Sequence, residues 1–559
     1  MIASMLAQSS GDTPAMVQKL AFLVPEMVLF VTTVVVMIVG LSPNFRVRKS
    51  CAALSILGLI GAGIAAWLSP TALHTPVPQL MPFAKVLIAG VGVLLIMLLT
   101  GTVDRAYESA VARGTPFDGI RSTRAEFYAF ALFSLTGLML CASADDLIWL
   151  FLALELTSLP TYVMVAISSG RSRAQEAGVK YFFLGAFGAA MFLYGFALLY
   201  GATGTTMLFG NGAEPGIMQI LAANSTQTGS IGTMALLGLI VAVVGVSFKI
   251  AAVPMHFYTP DVYEGAATSV SAFLAFVPKA AGFIVLILLL STVGWGHGDG
   301  AGLPEPIRVT LWVMAALSMT VGNVLAILQR SVKRMLAYSS IAHSGYMLVG
   351  LVVGPGADPA TGGLATNGLG AALFYLLCYG VMNLGAFAVL ACLERRGGRD
   401  GESEIETVDD LRGLWQTHPL LAVVMVLCSL SLLGFPPLLG FVGKFYLFTA
   451  AISSGEIVLV IVMGINSAIA AFYYLRLVVA PFLENPDAAG RELEVTRFSG
   501  RLVAAVVSAA SVLVLLVPVG GLMRASDRAG RPVEPVSVSD SAPVPADDAS
   551  ARRVSAVDR

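Results

Sequence analysis

Long apolar runs recur along this chain, and nothing else about it limits the fold so strongly. Crossing the hydrocarbon of a bilayer takes about 20 apolar residues per helix. Fourteen runs in the 559-residue sequence qualify, near 21–40, 51–69, 84–103, 125–142, 146–168, 178–203, 231–258, 266–291, 307–328, 335–354, 370–394, 418–450, 457–481 and 500–522. Hydrophobic residues make up 57% and charged residues 12%, where soluble proteins have roughly 45–50% and about 25%, so an ordinary soluble enzyme is excluded. With 33 Lys+Arg against 34 Asp+Glu the net charge is −1, without the positive excess that neutralising nucleic-acid phosphates requires. The expected partner is the lipid bilayer and not a nucleic acid. The expected fold is an all-α, polytopic membrane protein with 14 transmembrane helices.

Twenty basic residues lie in loops that follow odd-numbered spans, beginning with Arg46, Arg48 and Lys49 and ending with Arg491, Arg497 and Arg501. Loops after even-numbered spans hold only Lys85 and Arg308, both placed at helix edges. Short loops rich in Lys and Arg stay cytoplasmic, so both termini are expected on the non-cytoplasmic side. The amino end carries no basic segment followed by a short apolar core, so the first run is expected to be a retained span. Residues 525–559, rich in Pro, Ser, Val and Asp, are expected to form a disordered C-terminal tail.

The seventh and twelfth spans read as broken helices: Pro254 ends the stretch SFKIAAVP in one, and GFPPLLG cuts the overlong 418–450 run in the other. Backbone freed inside a bilayer survives only where protein or a water-filled cavity satisfies it, so such breaks mark transport sites. Glu155 to His343 and Lys249 to Lys444 are intervals of similar length, each covering five spans. Five is odd, so two such units lie inverted in the membrane. The expected organisation is an N-terminal group of helices 1–3 (1–124), two inverted five-helix repeats (125–291, helices 4–8; 306–482, helices 9–13), helix 14 (500–522) and the tail.

Inside the runs stand five ionisable groups, Glu155, Lys249, Lys279, His343 and Lys444. A charge at a helix centre costs about 2.5–3.5 kcal/mol on insertion scales, so such groups face a protein interior or hydrated cavity and pair with one another. Burial penalises the charged form and brings titration toward neutral pH, where a group can load and release protons. Each group also has a plainer reading. Glu155 in DDLIWLFLALELTSLP and Lys279 just after Pro278 sit mid-run, where the alternative to function is structural filler. Lys249 lies late in its run, where its long stem could snorkel to the cytoplasmic face. The depth of Lys444 depends on how GFPPLLG breaks its helix. His343 in LAYSSIAHSGYMLVG reads equally as a proton relay and as a neutral core histidine bonded to a neighbouring serine. Asp261 and Glu264, in the loop after the seventh span, read as hydrogen-bond acceptors that fix the loop.

The five cysteines, Cys51, Cys141, Cys378, Cys392 and Cys428, are scattered singly without a ligand-spaced histidine, so neither metal nor disulfide is expected. Gly443-Lys444 matches the end of a phosphate-binding loop, but Leu438 and Phe445 stand where that loop needs Gly and Ser or Thr. Nucleotide binding is not expected.

The strings SFKIAAVPMHFYTPDVYEGA, RMLAYSSIAHSGY and SLLGFPPLLGFVGKFYLF, with ELTSLPTYV around Glu155 and LVPEMVLF in the first span, resemble the antiporter-like membrane subunits of bacterial proton-pumping NADH:quinone oxidoreductase, respiratory complex I. The resemblance covers about residues 20–520. Within the family, Thr259-Pro260-Asp261-Val262-Tyr263-Glu264-Gly265 is the subunit N form of a loop that subunits L and M and Mrp-type antiporters typically write as Leu-Pro-Asp-Ala-His. No amphipathic run follows residue 522, where subunit L continues into a lateral helix, and subunit M is usually acidic where this chain has Lys444. The resemblance implies proton translocation, with Glu155 and Lys249 as coupling pair, Lys279 as central lysine, His343 as bridging relay and Lys444 as terminal lysine. It implies an inner (plasma) membrane protein partnered by antiporter-like subunit M and small subunits J and K. NAD, FMN, iron–sulfur clusters and quinone would be carried by partner subunits, and no cofactor by this chain. An Mrp-type cation/proton antiporter subunit is the alternative. The family commonly has Pro where Ala267 and Ser269 stand, so the turn there is expected to differ.

Overall fold

The computed structural model describes residues 20–70, 75–116, 118, 121–210, 214–296, 302–356, 366–395, 404–484, 493–495 and 499–532. Each of the fourteen apolar runs carries helix. In chain order these are α1 (Val24–Gly40), α2 (Cys51–Leu68), α3 (Leu80–Leu98), α4 (Arg124–Ala142), α5 (Leu147–Ile167), α6 (Ser172–Thr203) and α7 (Thr233–Ser247). There follow α8 (Thr268–Ser291), α9 (Glu305–Ile327), α10 (Val332–Val353), α11 (Gly368–Cys392), α12 in two pieces (Pro419–Leu433 and Leu439–Ser453), α13 (Ile457–Leu483) and α14 (Ser499–Val514). Among the described residues ten helices are long and apolar enough to cross a membrane, or eleven if α14 and the helix after it count as one bent span. The count of fourteen is therefore the sequence's, because α1, α7 and the two pieces of α12 are shorter.

Burial sorts these helices into centre and rim. Every residue of α8 is buried, and α10 and α11 are buried nearly throughout. Only 33% of the apolar windows of α2, α6 and α13 is buried. Their outer faces show Leu57 and Ile64, Phe183 and Phe187, Ile465 and Phe472 to the surroundings. Apolar surface on this scale belongs in lipid, which makes the chain a multi-pass membrane protein. Polar caps set several starts: Asp146 accepts from the Ile148 N–H at 2.7 Å before α5, and Asn367 from the Gly370 N–H at 2.9 Å before α11.

Both expected breaks are present. α7 stops at Ser247, and the chain runs irregularly to the short helix Thr259–Gly265 before α8. Its freed groups find protein partners: the Tyr258 hydroxyl donates to the Phe248 carbonyl at 2.9 Å, and the Val253 N–H to Ser318 Oγ at 2.9 Å. Gly282 lets α8 meet this break, since a Cβ there would lie 2.5 Å from Ile250 Cγ2. α12 breaks at Gly434, whose φ of +87° favours glycine.

Three features depart from the sequence reading. Lys85 is not a helix-edge residue but wholly buried, 2.8 Å from Glu26 of α1, and it also donates to the Phe22 carbonyl at 2.6 Å. Ser143 at the end of α4 donates to the same carboxylate at 2.8 Å. The chain also stays helical past residue 522: Val519–Ala529 forms a helix bent 91° from α14, so the tail begins later than 525. Asp527 in that helix takes the Asn367 amide on its carbonyl at 2.9 Å, which pins the bend to the start of α11. The remainder of the expected tail, 533–559, lies outside the described residues, as do Arg491 and Arg497. Finally, the loops after α11 and α13 pair as two antiparallel strands, β1 (Leu393–Arg395) and β2 (Leu493–Val495).

The Glu26–Lys85 pair is a clamp joining α1, α3 and α4. Removing one partner of a buried pair leaves the other charge uncompensated, at a cost of about 3–5 kcal/mol, whereas replacing both is close to neutral. Lys85→Met should therefore lower the thermal unfolding temperature of the detergent-solubilised protein sharply. Lys85→Met combined with Glu26→Leu should recover most of that loss.

Candidate functional site

The five ionisable groups lie along one seam inside the helices, four of them buried and Glu155 at its more open end. At one end, α5 presents Glu155 and, one turn on, Ser158. Lys249 sits just beyond the last residue of α7, and its ammonium donates to Glu155 Oε1 at 3.2 Å and to Ser158 Oγ at 2.6 Å. The lysine side chain is 2% exposed, so it does not snorkel. The rings of Phe192 and Phe248 lie 5.7 and 5.9 Å from the ammonium, within cation–π range. Glu155, at 17% exposure, is the least enclosed of the pair.

Lys279 occupies the centre. Its ammonium donates to the Ser340 carbonyl and to Ser344 Oγ, both on α10, and lies 5.0 Å from the centre of the Tyr379 ring. Ser344 in turn donates to the carbonyl of Ile250, the residue after Lys249. A single hydroxyl thus joins the break in α7 to the central lysine. Among the described residues no carboxylate is paired with Lys279 or with Lys444.

His343 is held by tyrosines and not by the neighbouring serine that the sequence suggested. Its Nδ1 lies 2.7 Å from the Tyr375 hydroxyl and its Nε2 2.8 Å from that of Tyr474, which meets Ser339 on its other side. Lys444, on the second piece of α12, reaches back across the break and donates to the Leu433 carbonyl at 2.8 Å. It rests over the Tyr346 ring, 4.8 Å from its centre. The break settles its depth: the lysine is 4% exposed, inside the protein.

The expected loop-fixing acceptors sit at the basic-loop end of the seam. Asp261 pairs with Lys180 at 3.1 Å and Arg334 at 2.8 Å, and Glu264 pairs with Arg334 at 2.9 Å. Glu404 takes Lys333 at 3.0 Å together with the N–H and hydroxyl of Thr268, at the start of α8. The turn before α8 uses what proline lacks, because the Ala267 N–H donates to Ser168 Oγ at 3.1 Å, and Ser269 bonds Thr102 at 2.7 Å. Burial pushes the Asp261 and Glu404 carboxyls up, but their cationic neighbours outweigh it and hold both below the usual carboxylate range.

Sequence reasoning did not find Ser158, Ser344, Tyr346, Tyr375, Tyr379 and Tyr474. A signal existed for some: Ser340 and Ser344, and Tyr375 and Tyr379, repeat at four residues, which places each pair on one face of its helix. Tyrosines at that spacing inside apolar runs read as ordinary core.

Three comparisons bear on this geometry. Residues 144–470 match the family described as NADH:quinone oxidoreductase/Mrp antiporter, TM. NADH-quinone oxidoreductase subunit N of Trichlorobacter lovleyi is 39% identical over 465 residues, covering 82% of this chain and 87% of that protein. A chain of respiratory complex I from Thermus thermophilus with bound aureothin superposes with a TM-score of 0.69 at 31% identity, over 90% of this chain and all of that one. A chain of an Mrp complex from a Dietzia species gives a TM-score of 0.70 at 19% identity, covering 92% and 97%, which shows the fold alone.

The two depressed carboxyls fix a pH dependence. Their stabilisation is complete above the ordinary carboxylate pKa of about 4 and is lost as pH falls through the lower folded values. Thermal stability should owe nothing to the titration of Asp261 and Glu404 between pH 5 and 8 and should fall in stronger acid. Asp261→Asn should remove part of that acid limb in a pH series of unfolding temperatures.

Proposed function

Because this chain belongs to the NADH:quinone oxidoreductase/Mrp antiporter family of membrane subunits, we propose that it is the subunit N-type membrane-arm subunit of a proton-translocating NADH:quinone oxidoreductase. It conducts protons along Glu155, Lys249, Lys279, His343 and Lys444. The observation that carries this reading is a row of buried contacts: Lys249 pairs with Glu155, the carbonyl of the residue after Lys249 takes the Ser344 hydroxyl that also receives Lys279, the Tyr379 ring lies beside both Lys279 and His343, and the Tyr346 ring beside both His343 and Lys444. The helices divide as α1–α3, two inverted repeats α4–α8 and α9–α13, and α14. The protein resides in the bacterial plasma membrane with both termini on the non-cytoplasmic side.

In this reading electron transfer happens on partner subunits that carry NAD, FMN, iron–sulfur clusters and quinone, and the neighbours in the membrane are antiporter-like subunit M and small subunits J and K. Charge movement in a neighbour acts first on Glu155, the more exposed member of its pair, and weakens its hold on Lys249. Lys249 then exchanges a proton through Lys279 and His343, and Lys444 releases one outward. Moving one charge against 100 mV takes about 2.3 kcal/mol. One pKa unit corresponds to about 1.4 kcal/mol, so shifts of about two units along the seam are enough.

Two measurements test this. Lys279→Ala in assembled complex should abolish this chain's whole share of the protons moved per electron while quinone reduction continues, and an unchanged ratio overturns the pumping role. Purification of the tagged chain from native membranes should bring down subunits with flavin and iron–sulfur absorbance. A colourless preparation that exchanges cations for protons would mark an Mrp-type antiporter instead.

A further inference from the structure

A buried amide outside the charged set ties its last two members together. Gly322 lets α9 lie close against α10, since a Cβ there would come within 2.6 Å of the Ala342 nitrogen. The next residue, Asn323, is fully buried and uses every polar atom of its side chain. Its Oδ1 accepts from the Tyr473 hydroxyl at 3.0 Å, and its Nδ2 donates to the Tyr346 hydroxyl at 3.4 Å and to Asn466 Oδ1 at 3.3 Å. Asn466 is saturated in the same way, donating to Thr320 Oγ1 at 3.2 Å and to the Val462 carbonyl at 3.0 Å. An amide inside an apolar span is costly unless satisfied, so this pair has one well-determined arrangement.

The two arms of Asn323 end at different members of the seam. The Tyr473 ring lies 4.4 Å from that of Tyr474, whose hydroxyl meets His343 Nε2 at 2.8 Å. Tyr346 supplies the ring on which the Lys444 ammonium rests, and Ser467 donates to its hydroxyl at 3.3 Å. An amide has no titrating proton near neutral pH, so Asn323 carries none itself. We propose that Asn323 is a positioning residue which, through Tyr473 and Tyr346, holds His343 and Lys444 in register for proton transfer between them. The inference rests on the pumping role proposed above. Its force comes from geometry, because a misplacement of about 1 Å at a reacting centre costs about a hundredfold in rate.

The test uses membrane vesicles holding the whole complex, with protons moved per electron measured for Asn323→Leu, Asn323→Asp, Tyr346→Phe and Lys444→Ala. Asn323→Leu should bring the ratio down to that of Lys444→Ala while quinone reduction per assembled complex persists. Asn323→Asp keeps an acceptor for Tyr473 and loses the donor to Tyr346, whereas Tyr346→Phe keeps the ring and loses the hydroxyl. Both should give ratios between those of Lys444→Ala and the unaltered complex. A merely structural amide would reduce the amount of assembled complex and leave the ratio of the surviving complex unchanged. That result in Asn323→Asp and Tyr346→Phe overturns the inference, even where Asn323→Leu does not assemble. Normal pumping by Lys444→Ala overturns the pumping role itself, and the inference falls with it.

Discussion

An ammonium group held at the depth of lipid must place its protons on acceptors that the surrounding helices ordinarily keep for themselves. An intact helix uses nearly all its carbonyls internally, and lipid offers none. A break releases them. The end of the first piece of α12 frees the Leu433 carbonyl for Lys444, and the unwound stretch after α7 frees the Ile250 carbonyl for Ser344, the hydroxyl that also receives Lys279. The broken helices and the buried lysines are therefore one device. Straightening α12 would take the Leu433 carbonyl from the Lys444 ammonium, and removing that lysine would leave the carbonyl unpaired in an apolar interior.

Lys249 solves the same problem with a carboxylate, and the difference matters. An ion pair sets a charge balance that Lys279 and Lys444 lack, so this end of the seam is the place where an outside charge acts most directly. Glu155 is the only acidic member and also the partner with more exposure. Beyond it, the proposed transfer would replace one ammonium by the next without adding net charge.

The breaks were legible because proline and glycine leave a local mark, and the charges because they stand alone against apolar neighbours. The depth of Lys85 leaves no such mark in its own run. The lysine stands at the start of that run, while the carboxylate that buries it lies 59 residues away on α1. The bend after α14 had a mark in Pro518 and Gly520, but the apolar residues on either side read as one continuous span. The tyrosines around His343 had no such mark. An aromatic residue inside an apolar run says nothing about its hydroxyl until the facing helix is known, and Tyr375, Tyr474 and Asn323 come from three different helices.

One helix collects these relations. α10 supplies the Ser340 carbonyl and Ser344 hydroxyl to Lys279, reaches the break in α7 through Ser344, carries His343, and lays the Tyr346 ring beneath Lys444. Its first turn is fastened by Lys333 to Glu404 and by Arg334 to Asp261 and Glu264, on segments that begin or precede α8 or lead into α12. A small rotation or slide of α10 would therefore alter the contacts to Lys279 and Lys444 and the bond to the residue after Lys249 together. Side chains packed this tightly have few intermediate arrangements. The seam is thus better suited to switching between discrete arrangements than to gradual adjustment, which is what the proposed stepwise transfer would require.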